Sequence, residues 1–461
     1  MASKDIIFEE SLIRKYDISG PRYTSYPTAV QFDPEYGEAD YRQALRQSND
    51  SGRPLSLYFH IPFCNTVCFY CGCSKVVTKH RERAAPYLAL VHKEMALLAS
   101  ELDCSRPVDQ LHWGGGTPTF ISHDEMRELM ELTRKTFSLH DDDTGEYSIE
   151  IDPRELNEAT LPLLRELGFN RMSLGVQDFD PRVQKAVNRI QPEAVTISAL
   201  EQARALGFRS INLDLIYGLP FQSETSFSAT LDHILVIRPD RLSVFNYAHL
   251  PEMFKPQRRI NAEDLPTPAE KLAILDMAIH KLTDAGYVYI GMDHFALPDD
   301  ELAIAQRDGT LYRNFQGYST HADCDLVAMG MTAISDVNHH YAQNEKTEEG
   351  YAVAIEAGRL PIIRGLALSD DDKLRRKVIT ELICHFKLSF SAIENDYAIK
   401  FSDYFSSELA NLSPMADDGL LILNAEGLEV LPAGKLLIRN ICMVFDAYLQ
   451  QGGSQRFSRV I

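Results

Sequence analysis

The sequence has few basic residues for its length and no long apolar run. Among its 461 residues, 46 lysines and arginines face 66 aspartates and glutamates, so the formal net charge is −20. Attraction to nucleic-acid phosphates or to anionic lipids needs a basic surface, and this balance argues against one. No apolar run approaches the roughly 20 residues that span a bilayer. We therefore expect no nucleic-acid partner and no membrane span, although a local basic pocket for an anionic ligand is compatible with the sequence.

The beginning of the chain also lacks the features of a secretion signal. Residues 1–17 include several acids and no apolar core, whereas a signal peptide needs a basic start and an apolar stretch. The sequence therefore predicts a cytoplasmic location, where thiols stay reduced and disulfides are rare. Four of the eight cysteines are scattered, and we expect them to be small buried apolar residues: Cys104, Cys324, Cys384 and Cys442.

The other four cysteines, Cys64, Cys68, Cys71 and Cys73, lie within ten residues, directly after a strand-like run. A structural zinc site usually draws its ligands from two separated pairs, and no second pair is present. A compact loop suits the close-lying irons of an iron–sulfur cluster, to which the first three thiols could supply three corners. Cys73 lies only two residues after Cys71 and is less suited to reach the same cluster. The fourth iron would then be open to a small molecule.

Short β-type runs alternate with amphipathic helical segments from residue 54 onward. The runs are 55–61, 109–115, 147–152, 171–177, 211–218 and 241–247. Such alternation predicts an α/β fold with parallel strands and right-handed crossovers. A closed eightfold barrel and an open six-unit barrel both fit, but six visible units with only a weak seventh near 287–291 favour an incomplete (β/α)6 TIM-like barrel. Polar and glycine residues follow several of these runs, at the strand ends where such sheets build their sites.

The composition divides the chain into three parts. Residues 1–50 are predicted to form an extended N-terminal segment, because 19–32 are dense in glycine, proline and hydroxyl residues. Residues 51–365 carry the barrel and a loop-rich part after it. Residues 366–461 are predicted to form a mostly helical, winged-helix-like domain, with two β-type runs on either side of 424–427. The acidic chain argues against DNA binding by this domain, so we expect it to cover the barrel.

The cysteine loop after the first strand of a βα barrel resembles that of the radical S-adenosylmethionine enzymes. Further motifs, among them SGPRYTSYPTA, HWGGGTPT, EIDPRE, NLDLIYGLP and RNIC, are similar to the oxygen-independent coproporphyrinogen III dehydrogenases from about residue 12 to the C-terminus. This resemblance implies a partial barrel with a helical cover and an N-terminal segment near the site. It also implies the oxidative decarboxylation of two propionates of coproporphyrinogen III to vinyl groups, which gives protoporphyrinogen IX in haem biosynthesis.

The resemblance also implies the site residues. Cys64, Cys68 and Cys71 would ligate a [4Fe-4S] cluster whose open iron holds the methionine part of S-adenosylmethionine. Two molecules of S-adenosylmethionine are implied. The first would contact Tyr58, Gly115, Glu150 and Ile334. The second would contact Tyr70, Gly116, Thr117, Gln177, Arg189, Asp214 and Ala248. The residues expected to serve the reaction itself are Tyr58, Cys73, Gln316 and Ile334.

Two other function classes share parts of this pattern. Haem chaperones of the same superfamily have the three-cysteine loop and the barrel, but they generally lack the equivalent of Cys73 and the PRYTSYPTA segment, both of which this chain has. A ferredoxin-like electron carrier would instead use four thiolates for its cluster. The sequence favours the enzyme. We also expect an unidentified electron donor and acceptor, and a monomer.

The implied substrate carries four propionates, so an enzyme of net charge −20 needs positive charge concentrated at its site. Arg22 is the preferred candidate, because it lies in the PRYTSYPTA segment beside two tyrosines. The other candidates are Lys255, Arg258, Arg259, Arg307 and Arg313.

Overall fold

The computed structural model describes residues 6–450, and its central feature is an open barrel of parallel strands. The six barrel strands follow one another in space in chain order, and each neighbouring pair is parallel. They are β1 (Leu55–Ile61), β2 (Pro107–Gly115), β3 (Glu146–Ile151), β4 (Arg171–Gln177), β5 (Ser210–Tyr217) and β6 (Arg241–Asn246). The predicted six-unit barrel is therefore confirmed.

Amphipathic helices cover the outer face of the barrel. Several begin at capping boxes, as at Ser122, whose side chain accepts the Glu125 amide while the Glu125 carboxylate returns to the Ser122 backbone. These helices are Ala84–Ala99, His123–Thr136, Thr160–Glu166, Pro181–Ala186, Glu193–Ala205, Glu224–Ile237 and Pro268–Asp284. Their apolar faces join the outward-facing apolar residues of the strands in one continuous core.

The barrel stays open because its two edges continue differently. Beyond β6, the weak seventh run becomes a hairpin of Val288–Gly291 and His294–Ala296, and the second strand pairs antiparallel with β6. Two residues cannot carry a crossover to a parallel strand, and Met292 and Asp293 turn with positive φ. Beside β1, the strand Asp325–Met329 adds a seventh parallel strand that the sequence pattern did not reveal.

The part after the barrel has more regular structure than its loop-rich sequence predicts. Three antiparallel strands extend the sheet from Asp325–Met329 outward: Ile334–Val337, His340–Asn344 and Ile362–Ala367. Smaller elements of the same part and of the cysteine loop are the strand pairs Phe63–Cys64 with Val76–Val77 and Tyr312–Asn314 with Gly317–Ser319, and the helices Glu301–Asp308 and Glu348–Glu356. A short strand, Ser138–Leu139, pairs with β2.

The N-terminal segment is extended only in its middle. It contains two helices, Glu10–Tyr16 and Glu38–Ser48, on either side of the predicted extended stretch. The second helix buries Tyr41, Ala44 and Leu45 between otherwise polar residues. The helix was not predicted from the sequence, because its many charged residues leave only a narrow apolar face.

The C-terminal part is mostly helical, as predicted, with a small antiparallel sheet. Its helices are Asp370–His385, Phe390–Tyr397, Phe401–Tyr404, Ser406–Asp417, Ile438–Val444 and Ala447–Gln450. The predicted hairpin is formed by Leu421–Leu423 and Gly427–Val430, and Lys387–Ser389 adds a third strand. Cys384 and Cys442 are fully buried here, as expected, whereas Cys104 and Cys324 are only partly buried. No helix between residues 6 and 450 is long and apolar enough to cross a membrane.

Candidate functional site

A cavity of about 430 Å³ opens at the carboxyl ends of the barrel strands and extends into the barrel. Its size is that of ordinary small-molecule sites. Most of the predicted site residues meet there although they are spread over some 250 positions. The predicted residues that line it are Cys64, Cys68, Tyr70, Cys71, Cys73, Gly115, Gly116, Thr117, Glu150, Gln177, Arg189, Asp214 and Gln316.

The cysteine loop is held by backbone hydrogen bonds after β1. The Val76 amide donates to the Pro62 carbonyl at 2.8 Å, and the Thr78 amide donates to the Cys64 carbonyl at 2.9 Å. On the other side, the Phe69 amide donates to Val187 at 2.9 Å. The loop is thereby closed on itself and fixed to the segment after β4, and its thiols face the cavity.

Cationic and polar groups donate to the sulfurs of this loop. The Thr117 hydroxyl donates to Cys64 Sγ at 3.5 Å, and Arg154 and Arg189 each donate to Cys68 Sγ at 3.6 Å. A hydrogen bond from Cys73 lowers the pKa of Cys71 to about 5. Such donors stabilise anionic sulfur. The set of three thiols with outer donors therefore fits an iron–sulfur cluster.

The Gly-rich turn after β2 lies against the base of the cysteine loop. The Gly116 amide donates to the Ile61 carbonyl at 2.9 Å, and the Thr117 amide donates to Phe63 at 2.8 Å. Gly115 has a φ of +114°, and a Cβ there would lie 2.7 Å from the His60 ring. Only glycine fits this conformation and this spacing. The turn thus presents bare backbone to the cavity.

Glu150 ends β3 at the centre of a polar group that includes His112. Glu150 accepts the Gly115 amide at 3.1 Å and a hydrogen bond from His112 Nε2 at 3.4 Å. Burial alone would raise the pKa of Glu150, but His112 and the Gly115 amide outweigh it, so the pKa is lowered. The carboxylate is therefore kept ionised where it is open to the cavity, and it is available to a cationic or hydroxyl-bearing ligand.

Tyr58 does not line the cavity but supports this group from behind. Its ring stacks on His112 with centroids 5.7 Å apart. Its hydroxyl lies 3.1 Å from His60 Nδ1, while His60 Nε2 lies 3.1 Å from the Ser74 carbonyl. Since that carbonyl can only accept, Nε2 carries the proton and Nδ1 accepts from Tyr58. His112 was not predicted as a site residue, although it lies in the HWGGG motif.

A second polar group lies on the β3 and β4 side. Arg189 donates to the Gly175 carbonyl at 2.6 Å and to Asp152 at 3.1 Å. Within residues 6–450, its buried Nε atom has no hydrogen-bond partner. Asp152 also pairs with Arg154 at 2.6 Å, and neither of these two was predicted to bind a cofactor or the substrate. They follow β3 in the EIDPRE motif, which was the available signal for both.

Gln177 and Asp214 continue the cavity lining along β4 and β5. Gln177 ends β4 with a φ of +71° at a break in the strand register, so its side chain leaves the regular alternation. Asp214 in β5 accepts hydrogen bonds of 2.8 Å from Ser173 and from Asn212. Burial raises the pKa of Asp214. These side chains offer an amide and a carboxyl to a polar ligand.

Three further predicted residues lie outside the cavity lining. Ile334 packs beside Phe32 and Tyr341 in a small apolar cluster. Ala248 follows β6 in an irregular segment, and Arg22 pairs with Asp293 at 3.3 Å. Of the other basic candidates, four are solvent-exposed: Lys255, Arg258, Arg259 and Arg307.

Arg22 belongs to a basic cluster that the sequence pointed to only in part. The cluster consists of Arg22, Arg313 and Arg439, and burial followed by the charge of Arg22 lowers the pKa of Arg439 to about 10, with Arg313 adding to it. Arg313 is 9% exposed, and among the described residues its Nε and Nη1 have no hydrogen-bond partner. Its guanidinium lies 4.7 Å from the ring centroid of Tyr318, which lines the cavity.

Comparison with known proteins extends these observations to the whole chain. The family model of the radical SAM superfamily matches residues 58–234, and that of the HemN C-terminal domain matches residues 368–437. The oxygen-independent coproporphyrinogen III oxidase of Pseudomonas aeruginosa is 56% identical over 99% of both chains. The enzyme of that name from Escherichia coli is 50% identical over all of both chains.

A solved structure of the Escherichia coli coproporphyrinogen III oxidase, described as a radical SAM enzyme, agrees with the fold. It superposes with a TM-score of 0.91 at 48% identity, covering 96% of this chain and 100% of that one. The chain belongs to the family of the oxygen-independent coproporphyrinogen III oxidases, within the radical SAM superfamily.

Proposed function

We propose that the chain oxidatively decarboxylates two propionates of coproporphyrinogen III to vinyl groups and so forms protoporphyrinogen IX. One observation carries this proposal: the three thiols of the cysteine loop, the Gly-rich turn and Glu150 converge in one cavity at the strand ends. The family to which the chain belongs is named for this substrate.

The loop thiols of Cys64, Cys68 and Cys71 would hold a [4Fe-4S] cluster. When bound, the cluster supplies the electron that cleaves S-adenosylmethionine to a radical able to attack an unactivated C–H bond. An acid–base residue could not remove a hydrogen from that position, which is why the chemistry needs the cofactor. Cys73 stays outside the ligand set, and it is exposed toward the cavity.

The polar groups of the cavity would bind two molecules of S-adenosylmethionine. The ionised carboxylate of Glu150 suits an ammonium group or a ribose diol, and Tyr58 positions it through His112. Arg189 suits a carboxylate, since its Nε points to no partner in the described chain. For the first molecule we propose Tyr58, Gly115, Glu150 and Ile334, of which Tyr58 and Ile334 lie outside the cavity lining. For the second we propose Tyr70, Gly116, Thr117, Gln177, Arg189, Asp214 and Ala248, of which Ala248 lies outside it. Gln316, whose buried amide nitrogen also lacks a partner in the described chain, would face the substrate.

The basic cluster would receive propionates of the substrate. Buried guanidinium groups without anionic partners are costly, so the placement of Arg313 favours an incoming carboxylate. Arg22, which pairs with Asp293 at 3.3 Å, belongs to the same cluster. The substrate tetra-anion is thus met by local positive charge in a chain whose net charge is −20.

The remaining partners are an electron donor and an electron acceptor, neither identified. We also propose that the protein is a monomer. A reduced cytoplasm would suit the free thiols.

The deciding experiment is anaerobic reconstitution with iron, sulfide, reductant and S-adenosylmethionine. Wild-type protein should form 5′-deoxyadenosine and the divinyl product together. Cys71→Ala should lose the cluster, whereas Cys73→Ala should keep its iron content. Formation of 5′-deoxyadenosine without decarboxylation would overturn the substrate. Stoichiometric haem binding without decarboxylation would favour the chaperone class, and equal iron loss in both variants would contradict three-thiol ligation.

The basic cluster has its own test. Arg313→Met should raise the KM for coproporphyrinogen III at least tenfold while leaving the iron content unchanged. Arg307→Met, at an exposed arginine of the neighbouring helix, is the matched control and should leave KM unchanged. The same KM in both variants would remove Arg313 from the proposed substrate site.

A further inference from the structure

Three chemically different metal-binding groups meet at the other end of the barrel from the cofactor cavity's mouth. Asp109 lies near the start of β2, and His321 and Cys324 lie in the loop that leads into Asp325–Met329. One ligand atom of each residue lies within 4.8 Å of the others. All three side chains are partly buried. They come from two segments more than 200 residues apart, so chain proximity alone does not bring them together.

The imidazole of His321 is placed as a metal ligand would be. Its Nδ1 lies 4.0 Å from Asp109 Oδ2, and its Nε2 lies 3.9 Å from Glu146 Oε2. One ring nitrogen thus faces the candidate ligands while the other faces a carboxylate, the same order of groups as in a carboxylate–histidine–metal arrangement. Glu146 is held in turn by the Thr320 hydroxyl at 2.8 Å. At 4.0 Å, the separation of Nδ1 and Asp109 Oδ2 is too long for a hydrogen bond but suits two ligands of one ion, and at 3.9 Å the Glu146 carboxylate faces Nε2 without a hydrogen bond.

Asp109 is also held from behind. Its Oδ1 accepts a hydrogen bond from His140 Nε2 at 2.8 Å, which leaves Oδ2 on the side of His321. Tetrahedral zinc with bonds of about 2.1 Å separates its ligand atoms by roughly 3.4 Å. Spacings up to 4.8 Å therefore close on an ion through small side-chain rotations.

In the described chain, Asp109 and Glu146 form no ion pair with lysine or arginine, although the charge of Arg241 acts on Glu146 from a greater distance. Nearby Asp325 pairs with Arg106 at 2.5 Å and with Arg53 at 3.1 Å. By contrast, the ion-pair partners of Asp109 and Glu146 within 4.0 Å in the described chain are histidines only. Partly buried carboxylates without a firm cation are a cost that a bound divalent ion would remove.

We propose that Asp109, His321 and Cys324 form a zinc site, with water in the fourth position. A thiolate and an imidazole select zinc over magnesium or calcium, which prefer oxygen ligands alone. The site would tie β2 to the loop before Asp325–Met329, and these two strands lie on either side of β1. The bound zinc would hold the seventh parallel strand, Asp325–Met329, in place. This strand is not part of one of the six βα units of the barrel. This inference is independent of the proposed reaction.

The test uses protein with a reconstituted iron–sulfur cluster, so that the loop thiols are occupied. After exposure to zinc and removal of loosely bound metal, we expect one zinc per chain in addition to iron. Cys324→Ser and His321→Asn should each lower the zinc at least tenfold. Cys104→Ser, at another partly buried cysteine, is the control and should keep it.

Cobalt gives a second readout that separates binding from folding. Bound Co²⁺ should show tetrahedral ligand-field bands and a thiolate-to-cobalt charge-transfer band. The charge-transfer band should vanish in Cys324→Ser, while His321→Asn should keep a thiolate band with weaker affinity. Zinc content equal in wild type and both variants, or a cobalt spectrum without thiolate character in the wild type, would overturn the proposal.

Discussion

At the scale of single residues, Gly116 shows how closely the Gly-rich turn seats the cysteine loop. A Cβ at Gly116 would lie 2.6 Å from the carbonyl carbon of Pro62 and 2.8 Å from the carbonyl oxygen of Phe63. Both are backbone atoms and cannot rotate away. Any side chain at Gly116 must therefore displace the backbone that carries Cys64.

Gly116→Ser should accordingly destabilise the protein by about 1–3 kcal/mol through overpacking and lower its iron content after reconstitution. The matched change, Gly37→Ser, meets no atom within 4 Å and puts a favourable residue at a helix N-cap, so it should leave both unchanged. Thermal unfolding and iron analysis measure the two effects. Equal behaviour of the two variants would show that the turn is not seated against the loop.

The residues that could be found from the sequence were those whose spacing carries chemistry. The roles of Cys64, Cys68 and Cys71 could be predicted from their spacing after a strand. The roles of Arg154 and Arg439 could not, because a single arginine in a sequence is equally compatible with a solvated surface. Only the structure shows that Arg154 donates to a loop sulfur. Burial and partners of a long cationic side chain depend on segments distant along the chain.

At the scale of elements, the six βα units were predictable and the sheet's edges were not. Each unit can be recognised in the sequence by a local apolar run and the helical segment that follows it. The pairing of Asp325–Met329 with β1 joins segments some 270 residues apart. The short apolar run of this strand does not indicate which position in the sheet the strand takes. The turn that follows Asp325–Met329 is held by the buried side chain of Glu94, which lies in the first barrel helix, Ala84–Ala99.

Glu94 ties this turn to two other elements. It accepts hydrogen bonds from the backbone amide of Gly330 at 2.8 Å, the side-chain amide of Asn344 at 2.7 Å and the hydroxyl of Tyr351 at 2.5 Å. Burial raises the pKa of Glu94 from 4.5 to about 7, against the effect of these hydrogen bonds. The folded protein therefore keeps the proton to a higher pH than the unfolded chain does.

Because of this difference, Glu94 should make the protein less stable as the pH rises from about 4.5 to about 7, by up to about 1.4 kcal/mol per pH unit. Glu94→Gln stays neutral and should lose that dependence, so its stability relative to wild type should improve between pH 5 and pH 8. Glu131→Gln, at an exposed position, should follow the wild type. Unfolding midpoints across this range decide the matter, and parallel curves for wild type and Glu94→Gln would contradict a raised pKa.

At the scale of the whole molecule, the N-terminal segment and the C-terminal part contact one another. Arg439 in the C-terminal helix donates through Nε to the Pro21 carbonyl at 2.9 Å and through Nη2 to the Gly20 carbonyl. The Tyr23 hydroxyl donates to Asp446 at 2.9 Å. The predicted N-terminal segment and C-terminal cover thus act on one another, and through Arg22 and Arg439 both reach the basic cluster.

Arg439→Met should therefore loosen the N-terminal segment rather than the barrel. A hydrogen bond from a charged donor is worth about 1.5–3 kcal/mol, so amide exchange in residues 17–37 should rise about tenfold or more. Exchange in β1 to β6 should stay unchanged. The control, Arg14→Met, removes an exposed arginine paired only within its own helix in the described chain, and it should have no such effect. Equal amide exchange in the two variants would show that Arg439 does not couple the N-terminal segment to the C-terminal part. The same conclusion would follow if exchange in the barrel strands rose as much as exchange in the segment. The C-terminal cover would then hold the substrate side of the cavity without the N-terminal segment.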